Sequence, residues 1–232
     1  MKKTHEMVEK ALVRGFLKGD LKPGSHMQSE RDLAERFSVS RATIREALLK
    51  LQNSGWISVR ERHATIVNDF WAKGDLELLS SITKNTDPFP LDLASHLLEL
   101  RVQLAPDYAR RAVENDAAQL TQCLSRSNKL RNCSSALEKF DWEVHQTMAV
   151  LSGNKIYPLV MNSFVDLYSK LRGEFFANEE HQTQARTFYR DLLQAAGMGN
   201  ADQAEDITRS AMKLRLENFR LQAAEAVALG LF

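Results

Sequence analysis

Cysteine is nearly absent from this 232-residue chain: Cys123 and Cys133 form neither a CxxC pair nor a Cys/His cluster of zinc-finger spacing. That excludes a disulfide framework or a cysteine-held metal as the organising device, and two free thiols fit a reducing cytosol. No run approaches the roughly eighteen apolar residues that a membrane span needs. Two lysines near the start are followed by no apolar segment, so neither export nor embedding is expected and the chain reads as cytoplasmic. Catalytic signatures are missing as well: there is no P-loop, no GxGxxG after a strand, no GxSxG and no HExxH. Ser152-Gly153-Asn154 follows no strand and reads as a polar helix connection, not a nucleophile elbow. The expectation is a non-enzyme that needs no cofactor.

Excess charge of one sign is also lacking, with 31 Lys and Arg against 30 Asp and Glu. The distribution is uneven. Residues 1–68 carry 13 cationic and 8 anionic side chains, and the remaining residues carry 18 and 22. A basic head on an acidic body suggests that the head meets phosphate. It argues against an architectural protein that coats DNA without a ligand, because nonspecific affinity grows with positive charge throughout.

What is present is mainly helical spacing. Val8, Ala11, Leu12, Gly15 and Phe16 predict a first helix over 4–18, stopped by Leu21-Lys22-Pro23-Gly24. Ser29 with Asp32 approximates a capping box, and Leu33, Ala34 and Phe37 give a short second helix its apolar face. After Ser38-Val39, Ser40 is an N-cap candidate for a third helix with Ile44, Ala47, Leu48 and Leu51 on one face, closed by Gly55. The period then changes: 56–59 and 64–67 are β-rich and flank Arg60-Glu61-Arg62-His63, which predicts a hairpin. The fold class is therefore mainly α, with an N-terminal winged helix-turn-helix of three helices plus a β-hairpin. From Leu76 onward the spacing is helical, broken at 85–90, 152–154, 177–178 and 197–200, and predicts an all-α bundle of six or seven helices. The domains are expected at 1–74 and 75–232, with Phe70 and Trp71 packing the two together.

The apolar stripe of the third helix leaves Arg41 and Arg45 one turn apart on its other side. Guanidinia so placed suit guanine O6 and N7 or neighbouring phosphates when the helix enters a major groove. Ser40 and Thr43 open that helix, where free N–H groups meet phosphate. Arg31, near the start of the second helix, is placed for the backbone or a neighbouring base.

The run 21–24, 29–34, 39–48 and 51–55 resembles the winged-helix domain of the GntR family of bacterial regulators. In that family the positions matching Arg31, Arg41, Thr43 and Arg45 contact operator DNA, which agrees with the facing above. The wing tip departs from the family pattern, with Glu61, Arg62 and His63 where glycine is usual; Arg62 and His63 complete the expected DNA contacts. Residues 67–71, 152–157, 167–168, 175–178 and 188–189 are similar to the FadR subfamily, and the resemblance implies release of DNA when a metabolite such as a long-chain acyl-CoA enters the bundle. The resemblance implies a homodimer on double-stranded palindromic operator DNA, with no membrane partner, and an anionic effector that is an acyl-CoA or an organic acid.

Arg101, Tyr168, Arg172, Tyr189 and Arg215 are the polar candidates for such a ligand among apolar bundle walls. Asp141 and His145, one turn apart, offer an alternative: a metal-dependent organic-acid sensor of the sister branch. That branch adds two histidines, at places that hold Tyr189 and Arg215 here if the register is ungapped.

Overall fold

The computed structural model describes residues 2–59, 64–131 and 133–228, with side chains except at 2, 3, 170–172 and 174. It divides between Phe89 and Pro90 into two compact units.

In the first unit α1 (Lys2–Lys18), α2 (Glu30–Phe37) and α3 (Arg41–Asn53) follow the predicted periodicities. Ser29 Oγ accepts the Asp32 N–H at 3.2 Å and Ser40 Oγ accepts the Thr43 N–H at 3.2 Å, so each helix of the pair starts on a serine that satisfies an otherwise orphaned donor. Between them Ser38 takes a left-handed φ of 53°, a one-residue turn that reverses the chain within two positions. Ile44, Ala47, Leu48 and Leu51 are buried as their spacing demands.

Trp56 anchors this core. Its ring is fully buried, stacks on Phe16 at a centroid separation of 5.1 Å and tilts against Phe70 at 4.8 Å. Removing about 200 Å² of indole from water contributes on the order of 5 kcal/mol, an upper figure that far exceeds the roughly 1 kcal/mol of a hydrogen bond. The indole N–H still needs a partner and donates to Ser81 Oγ at 3.0 Å, while Asn85 donates to Glu9 Oε1 at 2.8 Å. These contacts place α5 (Leu76–Asn85) in the first unit, although its spacing alone reads as the first helix of the bundle. Phe70, in the one-turn α4 (Phe70–Lys73), belongs to the same core, and Trp71 is exposed.

The hairpin is shorter than predicted. β1 (Ile57–Ser58) pairs antiparallel with β2 (Ile66–Val67), with Ile57 opposite Val67. Its breadth comes from a third edge: His26 bridges Ile66, and the Met27 and Gly24 N–H groups donate to the carbonyls of Thr65 and Val67, each at 2.8 Å. Arg62 and His63, at the wing tip, lie outside the described residues.

The second unit contains α6 (Leu91–Ser125), α7 (Ser134–Leu151), α8 (Ile156–Ser163), α9 (Val165–Phe176), α10 (Glu179–Gly197) and α11 (Ala201–Ala228), with a 3₁₀ turn at Arg126–Lys129. α6 is two segments that meet at a kink, because Asp116 leaves helical geometry and its carboxylate then caps the Gln119 N–H at 2.9 Å. Six α-helices among the described residues, one of them divided, meet the expected bundle. Tyr108, Leu120, Leu124, Leu137, Val144, Met148 and Phe188 form part of its core. No helix of the described residues is long and apolar enough to cross a membrane.

Candidate functional site

The first candidate surface is the outer face of α2 and α3. Arg31, Arg41 and Arg45 are exposed, Thr43 is half-buried, and Ser40 is occupied in capping, its Oγ also 2.9 Å from Thr43 Oγ1. The serine's hydroxyl is therefore committed to the helix N-terminus that it organises. Arg45 Nε donates to Glu30 Oε2 at 2.7 Å, which brings the first turn of α2 beside the second turn of α3. Arg31 Nε lies 3.4 Å from Asp32 Oδ1. Sequence reasoning missed His5: this buried ring packs on α3, its Nε2 2.8 Å from Lys50 Nζ and its Nδ1 3.4 Å from Glu46 Oε1. A histidine on the apolar side of α1 was the available signal.

The second site is a polar cluster inside the bundle. Asp141 of α7 is fully buried, and Arg215 of α11 grips it with two bonds, Nη1 to Oδ2 at 2.9 Å and Nη2 to Oδ1 at 2.6 Å. The Tyr189 hydroxyl donates to Oδ1 at 2.9 Å, and the Tyr168 hydroxyl donates to Oδ2. Burial by itself would raise the Asp141 carboxyl; the Arg215 charge outweighs it and holds the group far below the usual carboxylate range. One turn on, His145 is also fully buried, with Nδ1 2.8 Å from the Tyr108 hydroxyl and Nε2 without a hydrogen-bond partner among the described residues. Burial first, and the Arg101 charge second, keep this imidazole neutral well below its ordinary range. Four of the five predicted ligand residues thus meet around Asp141. Arg172 lies on α9, and its side chain is outside the described set.

Arg101 of α6 completes the cluster. Its guanidinium lies over the Tyr168 ring, 4.4 Å from the centroid, and its Nη2 is enclosed without a hydrogen-bond partner among the described residues. Among the described residues, the charges of two guanidinia, Arg215 and Arg101, act on the one Asp141 carboxylate. Beside Arg101 runs a narrow cleft of about 40 Å³, walled by Leu97, Leu104, Trp142, Met161, Phe164 and Tyr168.

The arrangement disfavours the metal alternative. Both Asp141 oxygens are taken by donors, and no group of three or more His, Cys, Asp or Glu among the described residues has the geometry to hold an ion. Arg215 and Tyr189 fill the places where two further ligands would have to stand, and a guanidinium there repels a cation.

Residues 4–67 match the family of bacterial regulatory proteins called gntR, and residues 68–217 match the FadR C-terminal domain. The chain belongs to the GntR family, with a FadR-type C-terminal domain. The family is one of transcription regulators, not enzymes. A fatty acid metabolism regulator protein of Shewanella pealeana is 35% identical over 189 residues, 81% of this chain and 79% of its own length. The protein of the same description in Shewanella denitrificans is 33% identical over 203 residues, 87% and 84% of the two chains. Among solved structures, Lar, which controls the expression of the Listeria monocytogenes agr system, superposes with a TM-score of 0.54 at 16% identity, covering 95% of this chain and 96% of that one. This last likeness concerns the fold alone.

For this GntR regulator the neutral, buried His145 has a measurable consequence. Its folded-state affinity for protons is depressed, so the unfolded chain binds the proton more readily below the ordinary value of 6.5. Stability is then fully present above that pH and falls as pH drops, by up to about 1.4 kcal/mol per unit for a single group. Asp141 adds loss in the same direction only below its ordinary value of 3.8. Urea titrations at pH 7 and pH 5 should show the decline, and His145→Gln should flatten it; an equal slope in the variant would assign the effect elsewhere.

Proposed function

We propose that this regulator works in the cytoplasm as a symmetric dimer on an imperfect palindromic operator, and that a long-chain acyl-CoA taken into the bundle lowers its affinity for that operator. Arg41 and Arg45 read bases from the first two turns of α3, Thr43 and Arg31 hold the backbone, and Arg62 and His63 of the wing reach the flanking groove. A single winged helix reads too few base pairs for selectivity in a genome, and a two-fold dimer solves this with paired half-sites. The relatives described as fatty acid metabolism regulators support the choice of effector class.

The observation that carries the ligand half of this reading is Arg101. An enclosed donor without a partner costs about 1–3 kcal/mol; Arg101 Nη2 has none among the described residues, and Arg101 borders an apolar cleft. A ligand with an acyl chain and a carbonyl or anionic head answers both features. The cleft is far smaller than the roughly 300–1,000 Å³ of a typical ligand pocket, so binding has to widen it. That requirement makes the ligand prefer a rearranged bundle, and differential affinity for two arrangements is what coupling to DNA release needs.

The experiment is a titration of an operator duplex, first selected from a random-sequence library, with palmitoyl-CoA and with citrate as a compact anion. Sedimentation should give two protomers per duplex, and palmitoyl-CoA should weaken binding by about 5- to 150-fold, the usual span of allosteric coupling. Arg101→Met should abolish that response without harming the fold: losing the contact with the Tyr168 ring costs about 0.5–2 kcal/mol, which removal of the enclosed donor offsets. One protomer per duplex would end the dimer reading. An equal response of both proteins to palmitoyl-CoA, or equal effects of both anions, would end the ligand assignment.

A further inference from the structure

We infer that Glu30 is a positioning residue for base recognition: its carboxylate holds the Nε side of the Arg45 guanidinium and turns the Nη1/Nη2 edge outward, toward a guanine. The inference rests on the base-reading role proposed for Arg45 and adds to it the residue that aims it.

Glu30 opens α2 and Arg45 lies in the second turn of α3, fifteen positions later, yet Oε2 and Nε are 2.7 Å apart. The side chains are 39% and 65% exposed. An ion pair this open to water adds little to folding stability. The first turn of α2 also has Asp32 to meet the helix dipole, and Asp32 is further engaged by Ser29 and Arg31. Neither fold stability nor helix-end electrostatics calls for a carboxylate that reaches across to α3. On a face that meets phosphates, moreover, an anion weakens binding to every duplex alike.

What Glu30 supplies is geometry. The guanidinium is a flat fork, and a bidentate contact with guanine O6 and N7 uses two parallel N–H groups. When Nε is held, the Nη pair is the edge left for that contact, and the guanidinium plane is constrained by the carboxylate that α2 carries at Glu30. A free arginine side chain samples many rotamers and must give up that freedom on binding. One held at Nε has already given up part of it, so the cost of ordering falls more for the correct base than for contacts with phosphate, which accept many orientations.

The test compares wild type, Glu30→Ala, Glu30→Gln and Arg45→Ala on a library-selected duplex and on a scrambled duplex of the same length and composition, by fluorescence anisotropy at two salt concentrations. Melting curves should coincide for the Glu30 variants. Glu30→Ala should bind the scrambled duplex as well as or better than wild type while its selected-to-scrambled affinity ratio falls by about fivefold or more. Glu30→Gln keeps an acceptor for Nε and should retain most of the ratio. If Glu30→Ala tightens both duplexes by one common factor, Glu30 merely repels DNA and the inference is overturned; the same follows if Glu30→Gln falls as far as Glu30→Ala. A loss of the ratio in Arg45→Ala with none in Glu30→Ala removes the inference and leaves the reading of Arg45 standing. An unchanged ratio in Arg45→Ala removes both.

Discussion

Asp141→Ala should destabilise the protein by about 3–5 kcal/mol, the cost of breaking a buried ion pair from one side. The carboxylate receives two bonds from Arg215 and one from each of Tyr168 and Tyr189. Removing it leaves the Arg215 guanidinium enclosed without a counterion near Arg101, while two buried hydroxyls lose their acceptor. A cavity of a few atoms is the smaller part of the loss. Asp141→Asn, which keeps the shape but not the charge, should fall between. The double variant Asp141→Leu, Arg215→Met removes both charges and should recover much of the stability, because desolvating the pair offsets most of its attraction. Urea unfolding of the four proteins decides the matter. An Asp141→Ala protein within about 1 kcal/mol of wild type would mean that water, not Asp141, satisfies Arg215.

Arg45→Ala should abolish selective DNA binding and leave the fold intact. The side chain is 65% exposed and faces away from Ile44 and Leu48, so nothing in the core depends on it. A good bidentate guanine contact supplies about 1–3 kcal/mol of discrimination, and in the dimer proposed above it acts at both half-sites. The substitution also leaves the Glu30 carboxylate without its Arg45 partner on the surface proposed to meet phosphate, which adds repulsion. Gel shifts on selected and scrambled duplexes should therefore converge to one weak affinity. A variant as selective as wild type would take Arg45 out of the recognition set.

The parts of the fold that could be read in advance are those set by neighbours in the chain. Ser29 and Ser40 cap helices because their oxygens reach N–H groups three residues on, and Ile44, Ala47, Leu48 and Leu51 show their buried face through spacing alone. The breaks at Gly153, Asn178 and Gly199 are equally local. The wing's third edge is different: Gly24 and Met27 pair with Val67 and Thr65 some forty residues away, and no short-range signal marks that partnership. The turn that ends α6 near Arg126 was missed for a related reason, since it holds no proline or glycine. α5 has an ordinary amphipathic pattern, and the bonds from Trp56 to Ser81 and from Asn85 to Glu9 tell which core it serves.

The cluster was partly visible. An ungapped register set Tyr189 and Arg215 at the places of metal ligands, and both do reach Asp141. That Tyr108 would close on His145, or that Arg101 would lie over the Tyr168 ring, depends on how three helices meet in space.

The broken course of α6 bears on how the bundle breathes. Pro106 offers no N–H to the carbonyl one turn back, and at Asp116 the helical ladder stops and is restarted by that residue's own carboxylate. Its 35 residues therefore do not open as one rod. The short segment after Asp116, pinned by Leu120 and Leu124, and the long one before it, carrying Arg101 and Tyr108, are separate cooperative lengths. In deuterated water the amides on either side of Asp116 are expected to exchange at different rates, the half that carries Arg101 separately from the half that carries Leu120.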